Sequence, residues 1–189
     1  MQNNYAAAAP RPPHHHYQVE DLMTMEGTGE DKTKLITFIV MGVPEAQARH
    51  RHHFNKGKAH KDRNGNAIVY DPSYLKKHDF ARAVNDAMVE MDIEIPFFKG
   101  SYIDTGVIME ADFFEPRPMS HFTANGTLKR KRVPQYPKKK DTDNLEKFAM
   151  DALQGVVYSN DNMVRNNVSN KNYADAGAPY TKFVFRNHA

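Results

Sequence analysis

One stretch of the chain, from Lys138 to Gly155, constrains the fold and the chemistry more than any other. Three lysines are followed by two aspartates, Asp141 and Asp143, that one residue separates. An amphipathic pattern begins at once, and Gly155 suits the position just past the C-terminus of a helix. The apolar residues at helical spacing are Leu145, Phe148, Ala149 and Ala152. The sequence therefore predicts a helix over about residues 144–154, with one buried face and two carboxylates at its start.

Two carboxylates at this position have two interpretations. If Asp141 and Asp143 lie in an extended segment, their side chains share a face and can converge. Close carboxylates repel each other unless a cation lies between them, and Mg²⁺, or Mn²⁺ in its place, is a hard cation that oxygen ligands bind. In the alternative, Asp143 caps the helix together with Glu146 in a capping box, and Asp141 is solvated. The spacing alone leaves both interpretations open.

Asp161 and Lys147 are the next candidates for this site. We expect Val156 to Tyr158 to be extended and to run back along the helix, so that Asp161 in the following turn approaches Asp141 and Asp143. Lys147 lies one helical turn beyond Asp143 and can offset negative charge there. The alternatives are an ordinary turn aspartate and an exposed lysine paired with Asp151, four residues on.

The net charge of +3 hides a strongly basic segment. Between Pro116 and Lys140 the chain has eight lysines and arginines and no acidic residue. Such a segment favours binding to a polyanion, although a solvated loop is the alternative. We expect this long, proline-bearing loop to be partly disordered without a ligand. Its basic residues are Arg117, Lys129, Arg130, Lys131, Arg132, Lys138, Lys139 and Lys140.

The remaining patterns predict strands and one further helix. Residues 35–41 and 105–114 are rich in β-branched and aromatic residues, and residues 163–168 and 181–186 are predicted as the last strands. Asp71 and Pro72 mark the start of a helix that we expect to end near Met91. In that helix the spacing of Tyr74, His78, Ala81, Val84, Ala87 and Met88 predicts the face that packs on a sheet.

Composition bounds the class of protein. There is no cysteine, which excludes disulfides and a thiolate metal site, and no apolar run approaches the roughly 20 residues of a membrane span. Residues 1–34 are predicted to be a disordered tail, with residues 35–189 as one folded domain. His14 to His16 in that tail, and the histidine-rich loop over residues 50–60, give only a weak metal-binding pattern.

The stretch Lys138–Gly155, followed by Val157-Tyr158-Ser159-Asn160-Asp161, resembles the RusA family of Holliday-junction resolvases, in particular its phage-type members. The family core reads D-x-D-N-L-x-K, then a helix ending near D-A-L, then an aspartate in a turn, and each element stands here in order. Gly42-Val43-Pro44 and Pro116 to His121 also match family features. The resemblance covers roughly residues 35–187. Family members commonly have two adjacent acids at the turn, and here Asn160 takes the first place.

The resemblance implies an α+β fold, in which helices pack on a mixed β-sheet and the subunit forms a homodimer. It implies Asp141, Asp143 and Asp161 as ligands of Mg²⁺, Lys147 as the catalytic lysine, and the basic residues named above as contacts to the DNA backbone. The implied reaction is the resolution of four-way DNA junctions by paired nicks, in DNA recombination and repair. The implied location is the cytoplasm, or the host cytoplasm if the chain is phage-encoded.

Two other functions fit the same residues. One is a Mg²⁺-dependent nuclease that acts on flaps or replication forks. The other is a junction-binding protein without catalysis, in which the aspartates only cap a helix. Metal-dependent cleavage of a four-way junction, lost in Asp143→Asn, separates these possibilities.

Overall fold

The computed structural model describes most of the chain from residue 17 onward. The described residues are 17–27, 33–48, 51–52, 54–55, 58–59, 64, 69–100, 106–129, 133–174 and 177–187. Within these ranges, no helix is long and apolar enough to cross a membrane.

A mixed five-stranded sheet forms the centre of the molecule. Its strands are β1 (Gln18–Glu26), β2 (Lys34–Met41), β7 (Val107–Pro116), β8 (Val164–Ala174) and β9 (Tyr180–Asn187). The order across the sheet is β1-β2-β9-β7-β8. Every neighbouring pair is antiparallel except β7 and β8, which are parallel and pair from Val107 with Val164 to Pro116 with Ala174. Four short strands form two separate ribbons, and these are β3 (Arg51–His52), β4 (Phe54–Asn55), β5 (Lys58–Ala59) and β6 (Val69–Tyr70).

Two helices, α1 (Tyr74–Glu90) and α2 (Thr142–Leu153), cover the apolar face of the sheet. Phe80 of α1 is the point where the layers meet, since its ring lies 5.8 Å from Phe148 of α2 and 6.1 Å from Phe183 of β9. Buried and less buried residues alternate along β7, with Val107, Met109 and Ala111 buried. The predicted α+β fold with helices on a mixed sheet is therefore confirmed.

The strand β1 corrects the prediction that residues 1–34 are disordered. Residues 18–26 pair with β2 from Gln18 opposite Met41 to Glu26 opposite Lys34. The pattern gave no strand because β1 is an edge strand whose one buried side chain is Leu22, so most of its residues are polar and exposed. Backbone pairing with β2 holds the strand, and its single buried side chain leaves no apolar period in the sequence. Residues 1–16, which include His14 to His16, lie outside the described residues.

Helix α1 confirms the predicted bounds, but its buried face is shifted. Phe80, Ala83, Val84 and Met88 are buried, whereas Tyr74 is 63% exposed and His78 is also exposed. The first turn of α1 therefore lies in solvent, and contact with the sheet begins about two turns into the helix.

Candidate active site

Helix α2 begins at the predicted place, but a different residue caps it. Asp141 is the N-cap and has an extended backbone, with φ −75° and ψ 141°. Asp143 lies in the first turn of the helix, where the positive end of the helix dipole stabilises its negative charge. No side-chain hydrogen bond caps the helix, and Glu146 instead accepts a hydrogen bond from the Asn167 side chain of β8. The predicted capping box of Asp143 and Glu146 is therefore wrong.

Three backbone-directed contacts hold the start of α2. The Lys140 ammonium donates to the carbonyl of Pro44, and the Lys171 ammonium of β8 donates to the carbonyl of Lys140. The backbone amide of Gln47 donates to the carbonyl of Asn144 at 2.7 Å. The carboxylates thus stand on a segment that is fastened from both sides. The three consecutive lysines therefore differ in exposure: Lys140 is half-buried, whereas Lys138 and Lys139 are exposed.

Asp143 and Lys147 occupy the solvent face of α2. Both are exposed, and residues four apart on a helix are neighbours on its surface. The opposite face is buried through Leu145, Phe148, Ala149, Ala152 and Leu153, which confirms the predicted stripe. Asp151 contacts Lys77 of α1, with its carboxylate oxygen 3.0 Å from the Lys77 ammonium. The alternative in which Lys147 pairs with Asp151 is therefore wrong, and the Lys147 side chain faces solvent.

The structure places Asp161 away from the other two aspartates. Residues 155–157 form a turn, so the predicted extended segment there is wrong, and Asp161 lies in a 3₁₀ helix (Asp161–Met163) just before β8. Lys171 contacts Lys140 and Asn167 contacts Glu146, so β8 and α2 run in opposite directions. Asp161 therefore lies toward the C-terminal end of α2, and ten residues of helix between Asp143 and Leu153 span about 15 Å.

The carboxylates of a single chain therefore fit a metal ion only in part. Among the residues that the structure describes, no three histidines, aspartates or glutamates lie close enough together to hold one. Asp141 and Asp143 nevertheless offer exposed carboxylate oxygens at one end of one helix. One or two carboxylates combined with substrate phosphate are a common way to bind Mg²⁺, so the donor chemistry of this pair suits that ion.

The basic residues of this segment differ in exposure and contacts. Lys138 and Lys139 are exposed immediately before α2. Arg117 is half-buried, with its guanidinium carbon 4.2 Å from the centre of the Tyr173 ring and a hydrogen bond of 3.4 Å to the carbonyl of Pro134. Lys129 is exposed and donates to the carbonyl of Ser120 at 2.8 Å. Arg130, Lys131 and Arg132 lie outside the described residues.

The loop that carries these residues has more structure than the sequence predicts. A short 3₁₀ helix (Met119–His121) follows β7, and Phe122 then pairs with Leu128 across a tight turn. Gly126 in that turn has φ +75°, a conformation that glycine adopts without strain. Much of the loop is therefore held by its own backbone contacts.

Sequence reasoning missed an ion-pair network that joins the two helices. The Lys77 ammonium lies 2.5 Å from Asp71 as well as 3.0 Å from Asp151. Burial pulls the pKa of Lys77 down, but hydrogen bonds to both carboxylates and their charges outweigh it, so the pKa lies above its ordinary value. Burial likewise pushes the pKa of Asp71 up, but hydrogen bonds from Lys77, the Ser73 amide and Gln47 hold it below its ordinary value. Asp71 and Asp151 are 80 residues apart, so no local pattern could have shown this network.

Comparison with known families identifies the chain as a nuclease, a hydrolase that acts on DNA. The family model for endodeoxyribonuclease RusA matches residues 42–180. Because this match spans more than half of the chain, the chain belongs to the RusA endodeoxyribonuclease family. The match contains all the candidate site residues, whereas β1 and β2 lie before it. No curated protein matches the chain.

Proposed function

We propose that this chain is a Mg²⁺-dependent endodeoxyribonuclease that resolves four-way DNA junctions by paired, symmetric nicks. The observation that carries the proposal is the family match over residues 42–180, which includes the exposed aspartates at the start of α2. The RusA family acts on branched DNA junctions, and the proposed activity applies that property to this chain.

In the proposed reaction, Asp141 and Asp143 supply oxygen ligands beside the scissile phosphate. When bound, Mg²⁺ supplies Lewis acidity and an activated water for hydrolysis of the phosphodiester. The contacts of Lys140 and Lys171 hold the backbone that carries the two carboxylates. The donor types and their exposure support this role.

Lys147 is the proposed catalytic lysine. It lies on the solvent face of α2, one turn from Asp143, and Asp151 on the same helix is paired with Lys77 instead. A positive charge at that place offsets the negative charge that grows on the phosphate oxygens in the transition state. Methionine at this position keeps the length of the side chain and removes its charge. Lys147→Met should therefore lower the cleavage rate far more than the affinity for DNA.

The exposed cations next to the site are proposed to bind the sugar-phosphate backbone. Lys138 and Lys139 precede the carboxylates directly, so they can bind phosphates on either side of the scissile bond. We propose the same role for Arg117 and for the basic run Lys129–Arg132. Backbone contacts of this kind give affinity with little base specificity and a steep dependence on salt.

We further propose that the active form is a homodimer. A four-way junction offers two equivalent strands to a protein with two-fold symmetry, so two copies of one site would cut at symmetric positions. A duplex offers no such pair of positions. Mass measurement in solution, with and without junction DNA, tests the dimer directly, and a monomer that makes paired nicks would contradict it.

Asp161 is proposed as a third metal ligand, although within one chain it lies apart from Asp141 and Asp143. It lies toward the far end of α2 from Asp143, so it reaches the site only through rearrangement of the chain or from the partner subunit. Co-expressing Asp143→Asn and Asp161→Asn chains with different tags distinguishes these routes. Recovery of nicking in the purified mixed dimer would show that Asp161 acts across subunits. Two inactive variants that stay inactive when combined would show that it acts within one chain.

The proposed function is tested with a panel of labelled DNA substrates. We expect Mg²⁺-dependent nicks at symmetric positions in a synthetic four-way junction and much slower cleavage of a flap, a replication fork and a plain duplex. Faster cleavage of the flap or fork would favour the alternative nuclease. Tight junction binding without cleavage in any divalent ion would favour a binding protein without catalysis.

A further inference from the structure

A polar groove opens directly beside the start of α2, and the proposed reaction does not use it. Its volume is about 640 Å³. It lies between the segment that leads into α2 and the edge strand β8. Thr142, which stands between Asp141 and Asp143, is one of its walls, so the groove begins where the proposed chemistry takes place. The lining residues are Gln135, Tyr136, Thr142, Ser169, Asn170, Lys171 and Asn172.

The lining offers hydrogen-bonding groups of both kinds and almost no charge. Amide side chains both donate and accept, as hydroxyls do, and no carboxylate is present. Lys171 is the one cation in the lining, and its ammonium is already bound to the carbonyl of Lys140. A phosphate site would need free cations, whereas the edge of a nucleobase needs donors and acceptors such as these.

One hydroxyl in the lining has an unmet hydrogen bond. The Oγ atom of Ser169 is buried and has no hydrogen-bond partner among the described residues. A buried polar atom without a partner is costly, so a ligand that reaches Ser169 would gain a hydrogen bond there. Asn170 differs, since its amide already donates to Asp112 at 2.9 Å. The unpartnered group is therefore part of the groove wall next to Thr142 and Lys171.

Tyr136 supplies an aromatic surface at this groove. Its side chain is 57% exposed, although the neighbouring Pro137 is buried and anchors the backbone. The same segment is fastened through the Arg117 hydrogen bond to Pro134, and Arg117 itself packs on Tyr173 of β8. An exposed ring on an anchored backbone is suited to stacking, and base–aromatic stacking needs an unpaired base.

We propose that this groove binds one unpaired nucleobase of the DNA substrate, with Tyr136 as the stacking surface and Ser169 and Gln135 as contacts to the base edge. This inference rests on the proposed function, because a strand exchange point supplies bases that can leave the stack. The groove would position the strand next to Asp141 and Asp143. Its contacts would also make the rate of cutting depend on which base occupies it.

The test measures coupling between Tyr136 and single bases. Wild type, Tyr136→Ala and Tyr136→Phe are titrated, in EDTA so that no cleavage occurs, with four-way junctions carrying one abasic residue at each position near the branch point. Tyr74→Ala removes another exposed tyrosine, which is 63% exposed on α1, and is the matched control. A single-stranded oligonucleotide series with the same abasic positions runs in parallel.

We expect Tyr136→Ala to weaken binding of the intact substrate roughly 5- to 150-fold, the range for loss of one stacked base. At one abasic position this difference should disappear, because the base that stacks on Tyr136 is already missing. Tyr136→Phe and Tyr74→Ala should bind like wild type. The Ser169→Ala variant, which removes one small hydroxyl, should change the preferred base at the cut in the presence of Mg²⁺.

The outcomes separate this inference from the proposed function. Equal abasic penalties in wild type and Tyr136→Ala, on both the junction and the single strand, would overturn the groove as a base-binding site even if the wild type resolves junctions. Coupling on the single strand together with no preference for junctions would support the groove and contradict the resolvase. A lower salt dependence in Tyr136→Ala without any coupling to a base would mean that the groove binds only the backbone.

Discussion

The ammonium of Lys77 lies 3.0 Å from the carboxylate of Asp151, and this contact joins α1 to the helix that carries the candidate site. The same ammonium lies 2.5 Å from the carboxylate of Asp71, which precedes the first turn of α1. One lysine thus links three segments that are distant in sequence. The same contact engages Asp151, the carboxylate that lies four residues from Lys147 on α2.

Replacing Lys77 by methionine should destabilise the fold by about 1–3 kcal/mol. The side chains of Lys77 and Asp71 are only 16% and 15% exposed, so the substitution leaves a carboxylate that water solvates poorly. Lys76→Met is the matched control, since Lys76 is 57% exposed in its pair with Glu45. Its effect should stay within about 1 kcal/mol. Urea unfolding of the three proteins measures both values, and equal losses would contradict a special role for Lys77.

The stability that Lys77 provides should depend on pH in both directions. The pKa of Asp71 is lowered in the folded state, so its contribution is present above an unfolded pKa of about 3.9 and is lost as the pH falls. The pKa of Lys77 is raised, so its contribution is present below about 10.4 and is lost as the pH rises through the folded value. The difference in unfolding free energy between wild type and Lys77→Met should be constant from about pH 5 to 9 and shrink outside that window. A difference that does not shrink as the pH falls below about 4 would contradict the ion-pair explanation.

Tyr158→Phe should cost about 0.5–1.5 kcal/mol of stability. Tyr158 is fully buried, and its hydroxyl donates to the carbonyl of Met150 at 2.7 Å. The Met150 carbonyl also accepts a hydrogen bond from the Gln154 amide at 3.2 Å. Tyr158→Phe therefore removes one hydrogen bond but leaves this carbonyl with a second donor. Burial, and then the charges of Asp161 and Asp151, raise the pKa of Tyr158, which keeps the donor protonated. Thermal unfolding compared with Tyr74→Phe, a change at an exposed ring, tests the estimate.

Neutralising Lys138 and Lys139 to glutamine should weaken junction binding and flatten its dependence on salt. If each lysine contacts one phosphate, the slope of log K against log salt should fall in magnitude by about 2. Lys182→Gln, an exposed change on β9, should leave the slope unchanged. Fluorescence anisotropy between 50 and 200 mM salt measures the slope. An unchanged slope in the double variant would remove these lysines from the DNA interface.

The parts of the fold that could be predicted are those with a strong local period. Residues 34–41 and 107–116 alternate between a buried and a less buried face, and α2 carries a continuous apolar stripe. Composition and spacing therefore located these elements, although the second strand begins and ends two residues later than predicted. β1 gave no such pattern, because only Leu22 of its nine residues is buried. Backbone hydrogen bonding to β2 holds that strand, and backbone bonding leaves little trace in side-chain chemistry.

The residues of the candidate site likewise differ in whether the sequence could predict their location. Asp141, Asp143 and Lys147 stand within one helix start, so their common location followed from the sequence. The place of Asp161 depends on how the chain turns after α2, and that turn is set by the buried Tyr158 and its hydrogen bond back to Met150. The partners of Lys77 are likewise fixed by the packing of α1 on α2. Contacts of this kind arise from tertiary packing, which no single stretch of sequence records.

The most direct test of the central claim is nick mapping on a synthetic four-way junction with Asp143→Asn. Asparagine keeps the size of the side chain and removes its charge, and Asp86→Asn, at an exposed aspartate of α1, is the matched control. We predict symmetric, Mg²⁺-dependent nicks with wild type and Asp86→Asn, and junction binding without nicks with Asp143→Asn. Undiminished nicking by Asp143→Asn would contradict the assignment of the site to the start of α2.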